Sequence, residues 1–283
     1  MEEQVINLRT SDSGLSEEVF YLFSDLIYKA SGIKLTPQKK NLLVSRLMKR
    51  LKSLNIDNFY QYYQLVKRDH EEFIQMLNCI ATNTTKFFRE EYHFKFLKEI
   101  CIPELINRRL ISIWSAGCST GEESYSIAIS VYEALSELKG PKPDVSILGT
   151  DISTSAIELA EKGIYEEAQL PEDLPEKFLK RYFLKGVNEY SGMVKVKDFI
   201  KSMVHFERLN LRDKVYPLRR DFHIIFCRNV MIYFSQEMKD HVLNQFYNHL
   251  CEGGYLFLGH SEAMLNRPGF MPVYISVYRK VKV

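Results

Sequence analysis

The stretch ISIWSAGCSTGEESYSIAISVYEALSEL, residues 111–138, decides the fold. Its first seven residues form an apolar run that predicts a buried strand, and residues 124–138 have the apolar spacing of a helix. The turn between them contains Gly117 and Gly121. A strand that enters a helix through such a turn is typical of open α/β sheets, which bind ligands beyond the carboxyl ends of their strands. The GxxxG spacing matches neither the GxGxxG of NAD sites nor the GK[ST] of ATP phosphate loops, so it argues against both.

The same alternation of strand and helix continues toward the carboxyl terminus. Apolar runs at 145–151, 223–229 and 255–261 predict further strands, with helical segments between them. Strands that are apolar on both faces predict a parallel sheet covered by helices on both sides. The run 273–280 follows a strand without an intervening helix, so we expect an antiparallel edge hairpin there. The fold class predicted is α/β, a doubly wound and mostly parallel sheet.

The remaining sequence predicts three further parts. Residues 1–14 are polar and are expected to be a flexible lead-in, whereas residues 15–81 have helical apolar spacing throughout and predict a small all-helical domain. The sheet domain then spans 82–283. At about 164–203 the alternation is interrupted by two strand-like segments with a polar turn between them, which predicts a small inserted β-subdomain.

Composition narrows the function classes. The 283 residues are 46% hydrophobic and 26% charged, as in ordinary globular proteins, and the formal net charge of +2 argues against a dedicated nucleic-acid binder. No run reaches the roughly 18 to 20 apolar residues that a membrane span needs, and the acidic, polar start does not resemble a signal peptide. We therefore expect a cytoplasmic protein without direct membrane insertion. The histidines and cysteines show no metal-ligand spacing, so no metal is expected.

Polar residues follow the predicted strands where a ligand crevice would open. Asp151 ends the second strand, where a carboxylate accepts hydrogen bonds from ribose hydroxyls; alternatively, it caps the next helix. Glu122 and Glu123 lie at the same crevice, to bind a ligand or merely to favour the helix amino terminus. Arg228 and Asn229 follow a later strand and are candidates to bind the ligand, unless the arginine only pairs with a neighbouring carboxylate.

Two more sets of residues flank this crevice. Tyr233 follows Asn229 on the same loop. Upstream, the segment ATNTTKFFRE at 81–90 joins the two domains, and its polar residues Asn83, Thr84, Thr85 and Arg89 would lie near the sheet edge if the segment folds back over it. Otherwise the segment is a capped linker helix whose two phenylalanines belong to the core.

Four blocks of sequence, in this order, resemble the signatures of one family. TNTTKFFRE (82–90), WSAGCSTGEESYSIA (114–128), LGTDIS (148–153) and IFCRNVMIYF (225–234) are similar to the CheR family, the bacterial chemotaxis receptor methyltransferases. The similarity extends from about residue 15 to 280. Ser124 replaces the proline usual in the family, and Thr84 lies in a variable position.

The resemblance implies a function and a set of site residues. Members transfer a methyl group from S-adenosylmethionine to glutamates of chemotaxis receptors, leaving S-adenosylhomocysteine. Arg89 and Tyr233 match positions near the transferred methyl group, which makes them the candidate catalytic residues, while Asn210 and Leu211 would flank the adenine. The candidate cofactor-binding residues are Asn83, Thr85, Arg89, Gly117, Glu123, Asp151, Asn210, Leu211, Arg228 and Asn229.

A basic segment is the candidate docking surface for the substrate. Residues 34–52 carry seven lysines and arginines and no acidic residue. Such a face is usually only solvated, but the receptors' methylation helices are acidic in this family, so a basic helix would attract and align them. The implied partner is the cytoplasmic helical bundle of methyl-accepting chemotaxis receptors. The candidate docking residues are Lys39, Lys40, Arg46, Lys49 and Arg50.

Two alternatives remain at the level of sequence. The first is a methyltransferase of the same fold with another acceptor, such as RNA, DNA or a small molecule; the near-neutral charge and the absence of an NPPY-like loop argue against it. The second is a non-catalytic module that binds S-adenosylmethionine and acts through protein contacts. The presence of both Arg89 and Tyr233 favours catalysis. In some members of the family the β-subdomain binds a peptide tail of the receptor. One sequence does not reveal whether this chain does so.

Overall fold

The computed structural model describes residues 14–81, 85–218, 221–262, 264 and 267–282. The chain separates into two compact units, Met1–Thr82 and Asn83–Val283. Asn83, one of the candidate cofactor-binding residues, and residues 1–13 of the expected lead-in lie outside the described residues.

The described part of the first unit is all-helical, as predicted. Ser16 and Asn58 cap helix amino termini by accepting hydrogen bonds from backbone N–H groups, and Gly32 ends the first helix with a left-handed φ of 75°. A short 3₁₀ turn, Pro37–Lys39, precedes the second helix. The helices are α1 (Glu17–Ser31), α2 (Lys40–Ser53), α3 (Phe59–Arg68) and α4 (His70–Ile80).

Within this unit, a buried ion pair fixes the inner face of α2. Arg50 donates two hydrogen bonds to the carboxylate of Glu72, from Nε at 2.9 Å and from Nη2 at 2.5 Å, and the Tyr62 hydroxyl donates to the same carboxylate at 2.7 Å. The Glu72 side chain is only 6% exposed. Since a buried carboxylate is stable only when its lone pairs are satisfied, Arg50 and Tyr62 together keep α4 joined to α2 and α3.

In the described ranges of the second unit, ten strands form two sheets. Seven strands form the main sheet in the order β6-β2-β1-β7-β8-β10-β9, and β3, β5 and β4 form the smaller one. The strands are β1 (Leu110–Ala116), β2 (Asp144–Asp151), β3 (Ile164–Glu166), β4 (Phe183–Lys185), β5 (Met193–Val196), β6 (Val204–Arg208), β7 (Phe222–Cys227), β8 (Leu250–Leu258), β9 (Phe270–Tyr274) and β10 (Val277–Lys280).

Helices cover both faces of the main sheet. Alternate residues of β1 point to opposite sides, so Ile113 packs in a core that includes Ile127, whereas Trp114 packs in a second core that includes Phe246. The helices are α5 (Glu91–Phe96), α6 (Ile102–Leu105), α7 (Glu122–Glu137), α8 (Thr154–Lys162), α9 (Glu176–Tyr182), α10 (Asp198–Lys201) and α11 (Gln236–His249); a π-helical segment, Leu97–Cys101, joins α5 to α6, and 3₁₀ turns cover Glu167–Gln169, Asn188–Tyr190, Met231–Tyr233 and His260–Glu262.

The strand directions confirm the predicted fold class. The β6, β2, β1, β7 and β8 strands are mutually parallel, and β10 is antiparallel to β8 and to β9, which gives the expected edge hairpin. The inserted segment also forms an antiparallel sheet, in which β5 lies between β3 and β4. The sequence predicted only two of its three strands, because β3 is three residues long and directly follows the helix-ending Gly163. Within the described ranges, we found no helix long and apolar enough to cross a bilayer.

Candidate active site

The turn after β1 forms one side of the site, and glycine is needed at its start. Gly117 has a left-handed φ of 77°, and a Cβ there would lie 2.4 Å from Cγ2 of Val230. The backbone N–H groups of Gly117 and Cys118 both donate to the carbonyl of Thr150 in β2, at 2.7 and 2.9 Å. The turn is therefore held against β2 by its own backbone and leaves room for the loop after β7.

Asp151 lies at the carboxyl end of β2, as predicted, and its carboxylate ties two loops together. One carboxylate oxygen accepts from Ser119 N at 2.8 Å, and the other accepts from Ser153 N at 2.9 Å. Ser153, not Asp151, caps α8, because its hydroxyl accepts from Ala156 N. Burial raises the pKa of Asp151, while the backbone donors oppose that rise. A carboxylate can accept about four hydrogen bonds, so acceptor capacity remains for hydroxyl donors such as those of a ribose.

Glu123, in the first turn of α7, contacts residues of β1 and of the loop after β7. It accepts a hydrogen bond from the Ser115 hydroxyl at 2.7 Å, and its other oxygen lies 3.4 Å from Nε of Arg228. Burial raises the pKa of the Glu123 carboxyl, and the positive charge of Arg228 opposes this effect. The Glu123 carboxylate is thus buried but compensated at the rim of the sheet.

The neighbouring Glu122 has different partners. Its side chain is fully buried, and it accepts hydrogen bonds from the Thr120 hydroxyl at 2.7 Å and from the Gln169 amide at 2.9 Å. Because Gln169 belongs to the inserted subdomain, Glu122 links that subdomain to the turn after β1. Of the two roles that the sequence leaves open for Glu122, these contacts disfavour ligand binding, because both its oxygens are directed to these partners.

Arg228, which follows β7, lies in a buried position between the segment 89–94 and the start of α7. Its side chain is 2% exposed, Nη2 donates to the backbone carbonyl of Arg89, and Nε lies 3.4 Å from Glu123 and 3.9 Å from Glu90. The guanidinium also stacks over the Phe94 ring, 5.4 Å from its centroid. Among the described residues, Nε and Nη1 of Arg228 have no hydrogen-bond acceptor. Buried donors of this kind suit an anionic ligand group.

The segment that carries Arg89 folds back onto the sheet unit and is not a linker helix. Phe87 is fully buried and its ring meets that of Tyr165 edge-on, and Phe88 N donates to the Ser126 hydroxyl at 2.9 Å. Thr85 and Arg89 are half-buried, and no helix is formed at 85–90. The core role of the phenylalanines and the approach of Arg89 to the sheet edge, given as alternatives by the sequence, are both present.

The other candidate residues lie on loops at the same edge. Asn210 and Leu211 follow β6, whose end is tied to β2 by a hydrogen bond from Leu209 N to the Asp151 carbonyl at 2.9 Å. Leu211 is buried, and the Asn210 side chain accepts from Arg212 N at 3.0 Å. Across the sheet, Asn229 has a left-handed φ of 61°, and the half-buried Tyr233 lies in the following 3₁₀ turn.

Together these residues fit S-adenosylmethionine. A buried carboxylate with spare lone pairs, Asp151, lies where a ribose would bind, and the buried donors of Arg228 are suited to a carboxylate. Among the described residues, no cluster of histidine, cysteine, aspartate or glutamate is arranged to hold a metal ion.

Sequence reasoning missed Glu262. Its buried carboxylate accepts hydrogen bonds from Asn229 N and Ile232 N, on the loop that carries Tyr233, and from Gly259 N. The signal available was a carboxylate four residues beyond the end of β8, at the edge where ligands bind. The sequence could not show that its partners lie on another loop.

The candidate docking residues on and beside α2 fall into two groups. Arg50 is paired with Glu72, and Arg46 donates to the carbonyl of Ile80. Lys49 is exposed, whereas the two remaining residues, Lys39 and Lys40, are half-buried. Two of the five basic side chains therefore hold the helical unit together.

Replacing Gly117 with alanine should destabilise the second unit by about 2 to 4 kcal/mol, because a left-handed backbone and a clash with Val230 add together. Urea unfolding followed by the fluorescence of Trp114, the single tryptophan, measures this loss. Gly140→Ala is the matched control, since that glycine also has positive φ but no atom within 4 Å of its Cβ position. Equal losses in the two variants would show that contact with Val230 contributes nothing.

His93, whose pKa the charge of Arg228 helps to lower, should make the free energy of unfolding depend on pH. It is fully buried, its Nε2 lies 3.0 Å from the Ile275 carbonyl, and burial together with the charge of Arg228 lowers its pKa from 6.5 to about 4. The unfolded chain therefore binds a proton at a higher pH than the folded protein does. Stability should be unaffected at pH 7, should fall below pH 6.5, and should have lost about 3 kcal/mol at pH 4 from this group.

The His93 contribution is measured as a difference between proteins. The free energy of unfolding, measured with urea at several pH values, should fall more at low pH in the original chain than in His93→Gln. The buried carboxyl groups titrate in both proteins, so their effect cancels in the difference. His205→Gln, which removes an exposed histidine, is the control. Parallel stability curves for the original chain and His93→Gln would contradict the assignment.

Comparison with known proteins gives the family. Residues 18–81 match the family model described as CheR methyltransferase, all-alpha domain, and residues 83–277 match CheR methyltransferase, SAM binding domain. The second match confirms the predicted cofactor, S-adenosylmethionine.

Curated relatives agree over nearly the whole chain. The chemotaxis protein methyltransferase of Borreliella burgdorferi is 38% identical over 263 residues, which cover 90% of this chain and 91% of that protein. Those of Klebsiella aerogenes and Escherichia coli are 40% and 37% identical, over 88% and 89% of this chain and 84% and 87% of theirs. The chain therefore belongs to the CheR family of S-adenosylmethionine-dependent chemotaxis methyltransferases.

Proposed function

We propose that this chain transfers the methyl group of S-adenosylmethionine to glutamate side chains of methyl-accepting chemotaxis receptors. The products are glutamyl methyl esters on the cytoplasmic helical bundle of the receptor, so the enzyme works in the cytoplasm. One observation carries the proposal: the buried Arg228 guanidinium donates to the backbone of Arg89 and thereby keeps the Arg89 segment at the rim where Asp151 and Glu123 lie. The family and the named relatives support the same activity.

Different residues at this edge of the sheet are proposed to bind different parts of S-adenosylmethionine, the methyl donor. Asp151 would accept hydrogen bonds from the ribose hydroxyls, and Asn210 and Leu211 would flank the adenine. Nη1 of Arg228 would donate to the carboxylate, and Glu123 would face the amino group. Thr85 and Asn229 complete the set on neighbouring segments. When bound, S-adenosylmethionine supplies a methyl group made electrophilic by a positively charged sulfur.

The acceptor carboxylate needs no general base. A glutamate is already ionised at neutral pH, so its oxygen attacks the methyl carbon as the carbon–sulfur bond breaks and the bonding electron pair leaves with sulfur. No proton is transferred. What the protein contributes is alignment of the oxygen, carbon and sulfur in one line and the exclusion of water that would solvate the carboxylate.

Arg89 and Tyr233 are proposed to provide that alignment. Arg89 orients the acceptor carboxylate, and it acts by positioning, because a tight ion pair would reduce the nucleophilicity of the carboxylate. Tyr233, on the loop after β7, contributes a hydroxyl at the same edge. The product ester is neutral, so each turnover removes one negative charge from a receptor helix and lowers repulsion between neighbouring helices.

The exposed side of α2 is proposed to dock the receptor. Lys49 and Lys52 are both exposed and lie three residues apart, which places them on one face of the helix. An acidic methylation helix would be attracted to this face and aligned by it. Arg46 and Arg50 support the face from within the helical unit through their bonds to Ile80 and Glu72.

Incubation with labelled S-adenosylmethionine and receptor-containing membranes tests the reaction. We expect label on the receptor that base releases, because carboxyl methyl esters are base-labile. Asp151→Asn should weaken S-adenosylhomocysteine binding about 10- to 100-fold, since a charged hydrogen-bond acceptor is lost. Asp144→Asn, at the opposite end of the same strand, should leave it unchanged. Base-stable label on another acceptor, or cofactor binding without any transfer, would support the two alternative functions instead.

The docking face has its own test. Lys49→Glu combined with Lys52→Glu should raise the KM for receptor about 10-fold or more and leave S-adenosylhomocysteine affinity intact, because attraction becomes repulsion. Arg50 is not changed, since its loss would leave the buried Glu72 without its partner. Arg68→Glu, an exposed charge reversal at the end of α3, is the control. An unaltered KM in the double variant would refute docking by this face.

A further inference from the structure

The loop between β7 and α11 has an irregular backbone that must be held in place. It carries Arg228, Asn229 and Tyr233, three residues of the proposed site. Asn229 has a left-handed φ of 61°, a conformation that asparagine tolerates better than most residues other than glycine, and a single 3₁₀ turn follows. A loop of this kind keeps one conformation only if neighbouring groups fix its backbone.

Glu262, in the 3₁₀ turn that follows the neighbouring strand β8, fixes this backbone. Its Oε2 accepts from Asn229 N at 2.6 Å, and its Oε1 accepts from Ile232 N at 3.1 Å. The two donors are three residues apart, so the carboxylate holds the loop at Asn229 and again at the residue immediately before Tyr233. Oε2 also accepts from Gly259 N at 2.9 Å, which anchors Glu262 to the end of its own strand.

The residues around Glu262 leave space for its contact with the loop. A Cβ on Gly259 would lie 2.6 Å from Oε2 of Glu262 and 2.8 Å from Asn229 N, so only glycine leaves space for the carboxylate to approach the loop. Glu262 is 9% exposed. Burying a carboxylate is costly, and an apolar side chain would fill the same space without that cost; three hydrogen bonds from backbone N–H groups offset it.

We infer that Glu262 is a positioning residue for methyl transfer, which sets Asn229 and Tyr233 by holding the backbone of their loop. This inference rests on the proposed function. Glu262 contacts only backbone groups of the loop in the bonds described, so it acts through Asn229 and Tyr233 and not on the donor or the acceptor. An amide in its place has one acceptor oxygen fewer and would turn an NH₂ group toward a backbone N–H.

Hydrogen exchange of the protein without ligand tests the contact directly. In Glu262→Gln, the amides of the loop at 229–233 should exchange at least tenfold faster, while those of β1 and β2 keep their protection. Glu104→Gln is the matched control, because it removes a hydrogen-bonded glutamate that pairs with Tyr255 and Arg279. Unchanged exchange in the loop, or an equal rise throughout the unit, would overturn the inference.

Kinetics then separate positioning from simple loss of stability. Glu262→Gln should lower kcat about tenfold or more at saturating donor and receptor, and should raise the Kd for S-adenosylhomocysteine by a smaller factor. If Glu262 acts through Tyr233, the loss in Glu262→Gln combined with Tyr233→Phe should be smaller than the product of the two single losses. Fully multiplicative losses, or an unchanged kcat in the single variant, would refute the role.

Two safeguards keep the outcomes distinct. Glu262→Asp retains the charge but is one methylene shorter. The amides at 229–233 should therefore exchange faster than in the original chain, by a smaller factor than in Glu262→Gln. This variant can be measured even if Glu262→Gln folds poorly. Absence of methyl transfer by the original chain would refute the proposed function, yet the exchange experiment would still show whether Glu262 holds the loop. Loop exchange in both Glu262 variants equal to that of the original chain would refute positioning whatever the activity.

Discussion

The buried guanidinium of Arg228 is the interaction on which the site depends. It meets the carbonyl of Arg89 and the ring of Phe94 in one segment and the carboxylate of Glu123 in another, and both segments are distant in sequence from Arg228. A buried arginine is costly unless charge and hydrogen bonds compensate it, so Glu123 is needed in turn. Among the described residues Nη1 of Arg228 has no acceptor, and the carboxylate of the proposed cofactor would provide one.

Two buried carboxylates hold the loops of the site in the same way. Asp151, at the end of β2, accepts from Ser119 on the loop that follows the adjacent β1. Glu262, just after β8, accepts from Asn229 on the loop that follows the adjacent β7. In each case an acid at the end of one parallel strand fixes the loop of its neighbour. The burial that raises the pKa of both carboxyls is offset by backbone N–H groups, which cannot be lost by mutation of a partner side chain.

Much of this arrangement could be predicted from sequence, because apolar runs identify parallel strands and the residues after such strands share one edge. Asp151, Glu123 and Asn229 were found in that way. The partners of a side chain could not be found, since they depend on packing across the fold. Arg50 was therefore grouped with exposed lysines although it pairs with Glu72, 22 residues away, and Glu262 was overlooked. The strand β3 is too short to show a pattern of its own.

The inserted sheet is also part of the support for the site. The Tyr165 hydroxyl donates to the carbonyl of Thr120 at 2.7 Å, and its ring packs against Phe87, which precedes Arg89 by two residues. Gln169 reaches the same region through Glu122. The turn after β1 and the segment that carries Arg89, which are proposed to lie beside the donor and the acceptor, are thus both supported by one small sheet. Since in-line transfer requires both to be correctly placed at once, a change in the packing of Tyr165 would disturb donor and acceptor together, whereas a change at Asp151 would act on the donor alone.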